Sequence, residues 1–126
     1  MAKKILIVED DPGSRRLTEF TLKREGYEVL TAGNGLEGLN RINRDHPDLV
    51  VLDVMLPGID GYEIARRIRS QPETEKLLIL MLSGKVRAED KTTGLQVGAN
   101  DYLSKPASPA LIVQKAAALL GDGVTD

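Results

Sequence analysis

Short apolar runs separated by amphipathic stretches set the rhythm of this chain. Residues 5–8, 49–52 and 77–82 are unbroken apolar runs of strand length, the pattern of strands buried on both faces in parallel sheets. Residues 29–32 and 101–103 form weaker strand patterns. Between these runs, helical character covers 13–25, 35–44, 61–70, 87–97 and 109–120. Gly26 and Gly98 stand where the first and fourth helices should stop, and Pro109 sits in the first turn of the fifth. Strand–helix alternation repeated five times predicts an α/β domain with a parallel sheet and right-handed crossovers. Ligands of such sheets bind beyond the carboxyl ends of the strands.

The predicted strand ends carry chemistry. The first strand runs into Glu9, Asp10 and Asp11, the third ends on Asp53, the fourth on Ser83, and the fifth is followed by Lys105 and Pro106. Acidic residues after a strand also solvate loops or cap helices, and a Lys-Pro pair is often only a turn. In a parallel sheet, however, all of these groups converge on one edge. Crowded carboxylates repel one another unless a cation joins them, and a small oxygen-donor site suits Mg²⁺. Ser83 and Lys105 have the chemistry to meet phosphoryl oxygens, and Asp53 that of a nucleophile forming an acyl phosphate.

Composition narrows the field. A chain of 126 residues argues for a single domain. The absence of Cys removes disulfides, thiolate metal sites and Cys nucleophiles, and one His excludes multi-His metal centres. A net charge of −2 leaves no electrostatic footprint for direct nucleic-acid binding. No apolar run approaches a signal sequence or membrane span, so a cytoplasmic location without membrane contact is expected. Residues 1–120 read as the domain and 121–126 as a flexible tail or the stub of a linker.

Four segments carry a resemblance: ILIVEDDP from Ile5 to Pro12, DVMLPGIDG from Asp53 to Gly61, LSG from Leu82 to Gly84, and GANDYLSKP from Gly98 to Pro106. With the intervals Asp53 to Ser83 and Ser83 to Lys105, they make the chain similar to the receiver domain of two-component response regulators, from Ile5 to about Leu120. The resemblance implies a flavodoxin-like, doubly wound sheet of five parallel strands in order 2-1-3-4-5 with five flanking helices. It implies that Asp53 accepts a phosphoryl group from a sensor histidine kinase or phosphotransfer protein. Asp10 and Asp53 would ligate Mg²⁺, Glu9 through water, with the backbone carbonyl of Met55 as a further ligand. Ser83 and Lys105 would bind the phosphoryl oxygens, and a cis bond before Pro106 is common. Ser83 and Tyr102 would form the switch, presenting a face around helix 4, strand 5 and helix 5 to a downstream effector protein. Such a domain is a signalling switch rather than an enzyme on other molecules.

Local features modify that expectation. Lys91, Thr92, Thr93 and Gly94 make the fourth helix a poor helix former, which suits either a moving part or a helix held by packing. Helix five is apolar on more than one face, and its surplus at Leu111, Val113 and Ala117 suggests a surface for a partner or for self-association. Ala107 follows Lys-Pro where many relatives have Phe, and helix five lacks charges common in dimerising relatives. Met55 and Lys85 occupy positions that tune phosphoryl lifetime in the family. Two other readings compete: a receiver-like binding module that works without phosphorylation, and an aspartyl-phosphate phosphatase. The latter would need an Asp where Met55 stands. Gly33 to Gly35 reads as a turn and His46 as a solvated loop residue.

Overall fold

In the computed structural model, five strands alternate with five helices. They are β1 (Lys4–Val8), α1 (Pro12–Arg24), β2 (Glu28–Ala32), α2 (Gly35–Asp45), β3 (Leu49–Asp53), α3 (Gly61–Arg69), β4 (Leu78–Ser83), α4 (Ala88–Gln96), β5 (Asp101–Ser104) and α5 (Pro109–Leu120). The structure describes residues 2–84 and 88–122, and of residues 88–91 the backbone alone. Lys85 therefore lies outside the described residues, as does most of the expected tail. Every neighbouring pair of strands is parallel, in the order β2-β1-β3-β4-β5.

The strand sequences explain the layering. Successive side chains of a strand point to opposite faces of the sheet, and here both sets are apolar. Leu6, Val8, Val50, Leu52, Ile79 and Met81 join Ile42 of α2 and Ile64 and Ile68 of α3 in one buried cluster. Ile5, Ile7, Leu49, Val51, Leu80 and Leu82 join Leu22 of α1 and Ile112 and Ala116 of α5 in the other. A single-register slip would exchange the two faces, so the register is fixed by side-chain shape and by the helices covering each side.

Helix ends follow their local chemistry. Asn34 and Ser108 cap α2 and α5, accepting the backbone N–H groups of Glu37 at 2.9 Å and Leu111 at 3.1 Å. Gly26 and Gly98 take left-handed φ values of +98° and +115°, the conformation that ends a helix at little steric cost to glycine. His46, expected as a plain loop residue, is exposed and closes α2 in the left-handed region at φ 50°. Gly121 and Asp122, expected as the start of the tail, instead complete the cap of α5. The Asp122 N–H donates to Ala117 O at 2.8 Å, and the Asp122 carboxylate meets Lys3 at 3.5 Å and the Tyr27 hydroxyl at 3.3 Å.

The apolar surplus on α5 is partly absorbed. Leu111 and Val113 are half-buried against the second cluster, and α1 and β4 both pack against α5. Among the described residues, the large apolar side chains most exposed are Leu17 and Phe20 on α1, Leu36 on α2, Met55 and Leu95.

Arg69, at the end of α3, ties three segments together. Its guanidinium donates to Gly98 O at 2.7 and 3.0 Å, to Asn100 Oδ1 at 2.9 Å, to Leu77 O at 2.6 Å and to Glu75 O at 3.0 Å. Asn100 Oδ1 also accepts the Ile79 N–H at 2.8 Å, so the loop into β5 is fastened to the start of β4. Burial holds the Arg69 guanidinium below its usual pKa. Arg69→Leu should lower the unfolding free energy by about 3 kcal/mol, because several carbonyls lose a charged donor at once. Arg69→Lys should rescue little of this, since an ammonium lacks the planar fork. Denaturant melts of both variants check the ranking.

Candidate functional site

The carboxyl ends of β1, β3, β4 and β5 lie side by side: Val8 pairs with Leu52, Asp53 with Leu82, and Ser83 with Ser104. Glu9 follows β1 immediately, and its N–H donates to Ala32 O at 3.1 Å, which extends the sheet by one step. Its side chain is almost fully buried. Arg15 of α1 donates to the carbonyls of Glu9 at 2.9 Å and Asp10 at 3.4 Å, holding this acidic loop in place. Asp10 is exposed. Asp11 has a different role: its Oδ2 accepts the Ser14 N–H at 2.8 Å as the N-cap of α1, and that bond holds its carboxyl below the usual range.

Asp53 ends β3 with 3% of its surface exposed. Its Oδ1 accepts the Met55 N–H at 3.1 Å and its Oδ2 accepts Lys105 Nζ at 3.1 Å. The backbone behind it is tightly packed. The Val54 N–H bonds Leu82 O at 2.9 Å, and the Gly61 N–H bonds Val54 O at 3.0 Å. A Cβ on Gly61 would lie 2.6 Å from Asp53 O and 2.7 Å from Val54 Cα. The start of α3 thus approaches β3 so closely that only glycine fits. Gly61 closes the segment DVMLPGIDG, but periodicity carries no signal for this kind of clearance.

Lys105 enters from the far side of the sheet. Its N–H donates to Ser83 O at 2.6 Å, and the bond to Pro106 is cis, as the resemblance implied. The ammonium reaches Glu9 Oε1 at 2.7 Å as well as Asp53. Burial raises the pKa of Glu9, with the Lys105 hydrogen bond only partly opposing it. Burial alone would lower that of Lys105, but its bonds to Glu9 and Asp53 prevail and hold the ammonium above its usual value. Ser83 is fully buried at the end of β4.

One carboxylate oxygen from each of Glu9, Asp10 and Asp53 lies within 4.8 Å of the others. Three acidic groups face one lysine, so the cluster keeps surplus negative charge. Its donors are hard oxygens, and one of them, on Asp10, faces an open cavity of about 450 Å³ shared with Val54, Met55 and Asp60. This donor set fits Mg²⁺, which binds through one or two carboxylates while keeping several waters. A second cavity of about 430 Å³ opens beside Glu9 and Lys105, walled by Leu17, Thr18, Ala107 and Ile112. The structure thus brings together Glu9, Asp10, Asp53 and Lys105, with Ser83 on the adjoining strand end. The ring of Tyr102 lies apart from them in the first core cluster.

This fold, with an acidic cluster and one lysine at the strand ends, defines a class. The model of the response regulator receiver domain matches residues 5–117. The chain belongs to the response regulator receiver domain family, the receivers of two-component systems. It is 44% identical over 122 residues to the alkaline phosphatase synthesis transcriptional regulatory protein PhoP of Bacillus subtilis, covering 95% of this chain and 49% of that protein. It is 42% identical over 119 residues to the transcriptional regulatory protein AfsQ1 of Streptomyces coelicolor, covering 94% and 52%. The chain therefore spans about half the length of these curated relatives. Among solved structures, the chemotaxis response regulator CheY4 of Vibrio cholerae superposes with a TM-score of 0.90 at 32% identity, covering 94% of this chain and 99% of that one. The BeF3-activated N-terminal receiver domain of Klebsiella pneumoniae RstA gives 0.86 at 33% identity, covering 94% and 98%. Among the described residues, no helix is long and apolar enough to cross a membrane.

Proposed function

We propose that Asp53 is the phosphoacceptor of this receiver, taking a phosphoryl group from a phosphohistidine of a sensor histidine kinase or phosphotransfer protein. The observation that carries this reading is the setting of Asp53: a buried carboxylate, oriented at both oxygens by Met55 N–H and Lys105 Nζ, inside an acidic cluster open to solvent at Asp10. A carboxylate oxygen of Asp53 forms the new P–O bond while the bond to the donor nitrogen breaks, its electron pair leaving with the imidazole. Orientation of the nucleophile is already in place, which removes part of the entropic barrier.

Mg²⁺, held by Asp10, Asp53 and the Met55 carbonyl with Glu9 through water, would supply positive charge to a phosphoryl group. Lys105 adds a second positive charge, and its contact with Asp53 Oδ2 puts that charge beside the group being transferred. Ser83, buried on the adjoining strand end, would donate to a phosphoryl oxygen. Tyr102 and Ser83 would pass the change to a face of α4, β5 and α5, where a downstream effector docks. Leu95 on α4 is exposed there, and Lys115 of α5 binds Asp101 of β5 at 3.3 Å. Self-association through α5 rests on what remains exposed around Leu111 and Ala117, and light scattering of both phosphorylation states would reveal it. The setting proposed is the cytoplasm, where such kinases present their phosphohistidine.

Incubation with Mg²⁺ and acetyl phosphate should add the mass of one phosphate to the intact protein. The gain should vanish in Asp53→Asn and in excess chelator. A folded, Mg²⁺-binding protein that gains nothing would instead be a phosphorylation-independent module.

A further inference from the structure

Tyr102 is 5% exposed, its ring set among the side chains of the first core cluster. Its hydroxyl is nevertheless buried without a hydrogen-bond partner among the described residues. Burying an unpaired hydroxyl forfeits its bonds to water, so this group works against the inward position. Shape must hold the ring there. Opposite it stands Gly94 of α4, where a Cβ would come within 2.7 Å of Tyr102 Cδ2 and 3.1 Å of both Cε2 and Met81 Sδ. Gly94 is buried in a helix and has no left-handed φ, so its backbone does not demand glycine. On propensity alone glycine is a poor choice inside a helix. Clearance for the ring is the requirement that remains.

We propose that the notch opened by Gly94, closed on its other side by Met81, holds Tyr102 inward, and that Gly94 is thereby the positioning residue of the switch. Met81 pairs with Tyr102 across β4 and β5 and stands two residues before Ser83. The three side-by-side groups join the strand that ends at the site to the helix that carries the effector face. Ring and helix are geared: α4 can hold this position only while the ring fills the notch, and the ring can stay inward only where α4 offers one. The functional consequence rests on the receiver reading, whereas the gearing itself does not.

Fluorotyrosine NMR tests this, with the Tyr102 signal assigned by its loss in Tyr102→Phe. In Gly94→Ala, broadening of that signal by a soluble paramagnetic probe should rise several-fold as the ring is expelled. Thermal melting should meanwhile report a folded protein. A ring that stays shielded in folded Gly94→Ala overturns the proposal. Should Gly94→Ala fail to fold, the double variant Gly94→Ala/Tyr102→Leu, which removes the ring that the added carbon meets, should fold; a double variant no more stable than Gly94→Ala overturns the proposal. A wild type that ignores beryllofluoride would remove the phosphoacceptor reading of Asp53 and leave the ring measurement intact.

Discussion

Lys105→Met should lower the unfolding free energy by about 3 kcal/mol in the absence of divalent cations, the scale of breaking a buried ion pair. The substitution keeps the volume but leaves the buried carboxylates of Glu9 and Asp53 facing each other without a counter-charge. Mg²⁺ should then stabilise the variant more than the wild type, since the ion relieves a repulsion that Lys105 otherwise relieves itself. The sign of the pH dependence follows from the raised pKa of Lys105. A group whose pKa is higher folded than unfolded stabilises fully below its unfolded value, 10.5. That contribution fades as the pH rises through the folded value. The gap between wild type and variant should therefore stay level from neutral pH upward and close only in strong alkali. Urea melts with and without Mg²⁺ across that range read all three effects. A gap that widened above the usual lysine value would show that the ion pair is not its source. Phosphorylation by acetyl phosphate should slow as well, by roughly a hundredfold if the ammonium supplies about 2.7 kcal/mol to the transferring group.

Gly61→Ala should be nearly as damaging by a purely steric route. The added carbon would meet backbone rather than a flexible side chain, at 2.6 Å from Asp53 O and 2.7 Å from Val54 Cα. Neither can yield without shifting the end of β3 or the start of α3. Overpacking of this kind costs roughly 1–3 kcal/mol, and the upper end is expected where only backbone can move. Because the displaced atoms carry Asp53, phosphorylation should slow more than the stability loss alone explains. Comparing the rate of mass gain at temperatures well below each protein's melting point separates the two effects. Gly58→Ala is a useful contrast, for nothing lies within 4 Å of a Cβ there and the burden is its φ of +77° alone.

The strands were legible because both faces of each central strand are apolar, and continuous apolar runs of four to six residues recur between amphipathic stretches. Glu9, Asp10, Asp53 and Lys105 were legible as a set because a parallel sheet must gather its strand ends on one edge. The strand order was not derivable in this way and came from the resemblance. The roles of Arg69 and Gly61 were not legible for a shared reason: each acts on a segment that local periodicity does not reach, Gly98 and Asn100 for one, Asp53 and Val54 for the other. Gly94 was visible only as a weak helix former, since propensity carries no signal for the tyrosine ring packed against it. Helix α5 shows the converse limit. Its apolar count was right, but exposure depends on neighbours, and the second core cluster covers part of what the pattern left free.

Asp122, fastened to Lys3 and Tyr27, has a further consequence. Lys3 and Tyr27 precede β1 and β2, so this fastening lies at the edge of the sheet opposite Asp53, roughly 17 Å away along a five-residue strand. A segment joined through Asp122, whether an effector or a laboratory reporter, is anchored at the edge of the sheet opposite the acidic cluster. A donor arriving at Asp53 and a cargo carried beyond Asp122 therefore need not compete for the same space.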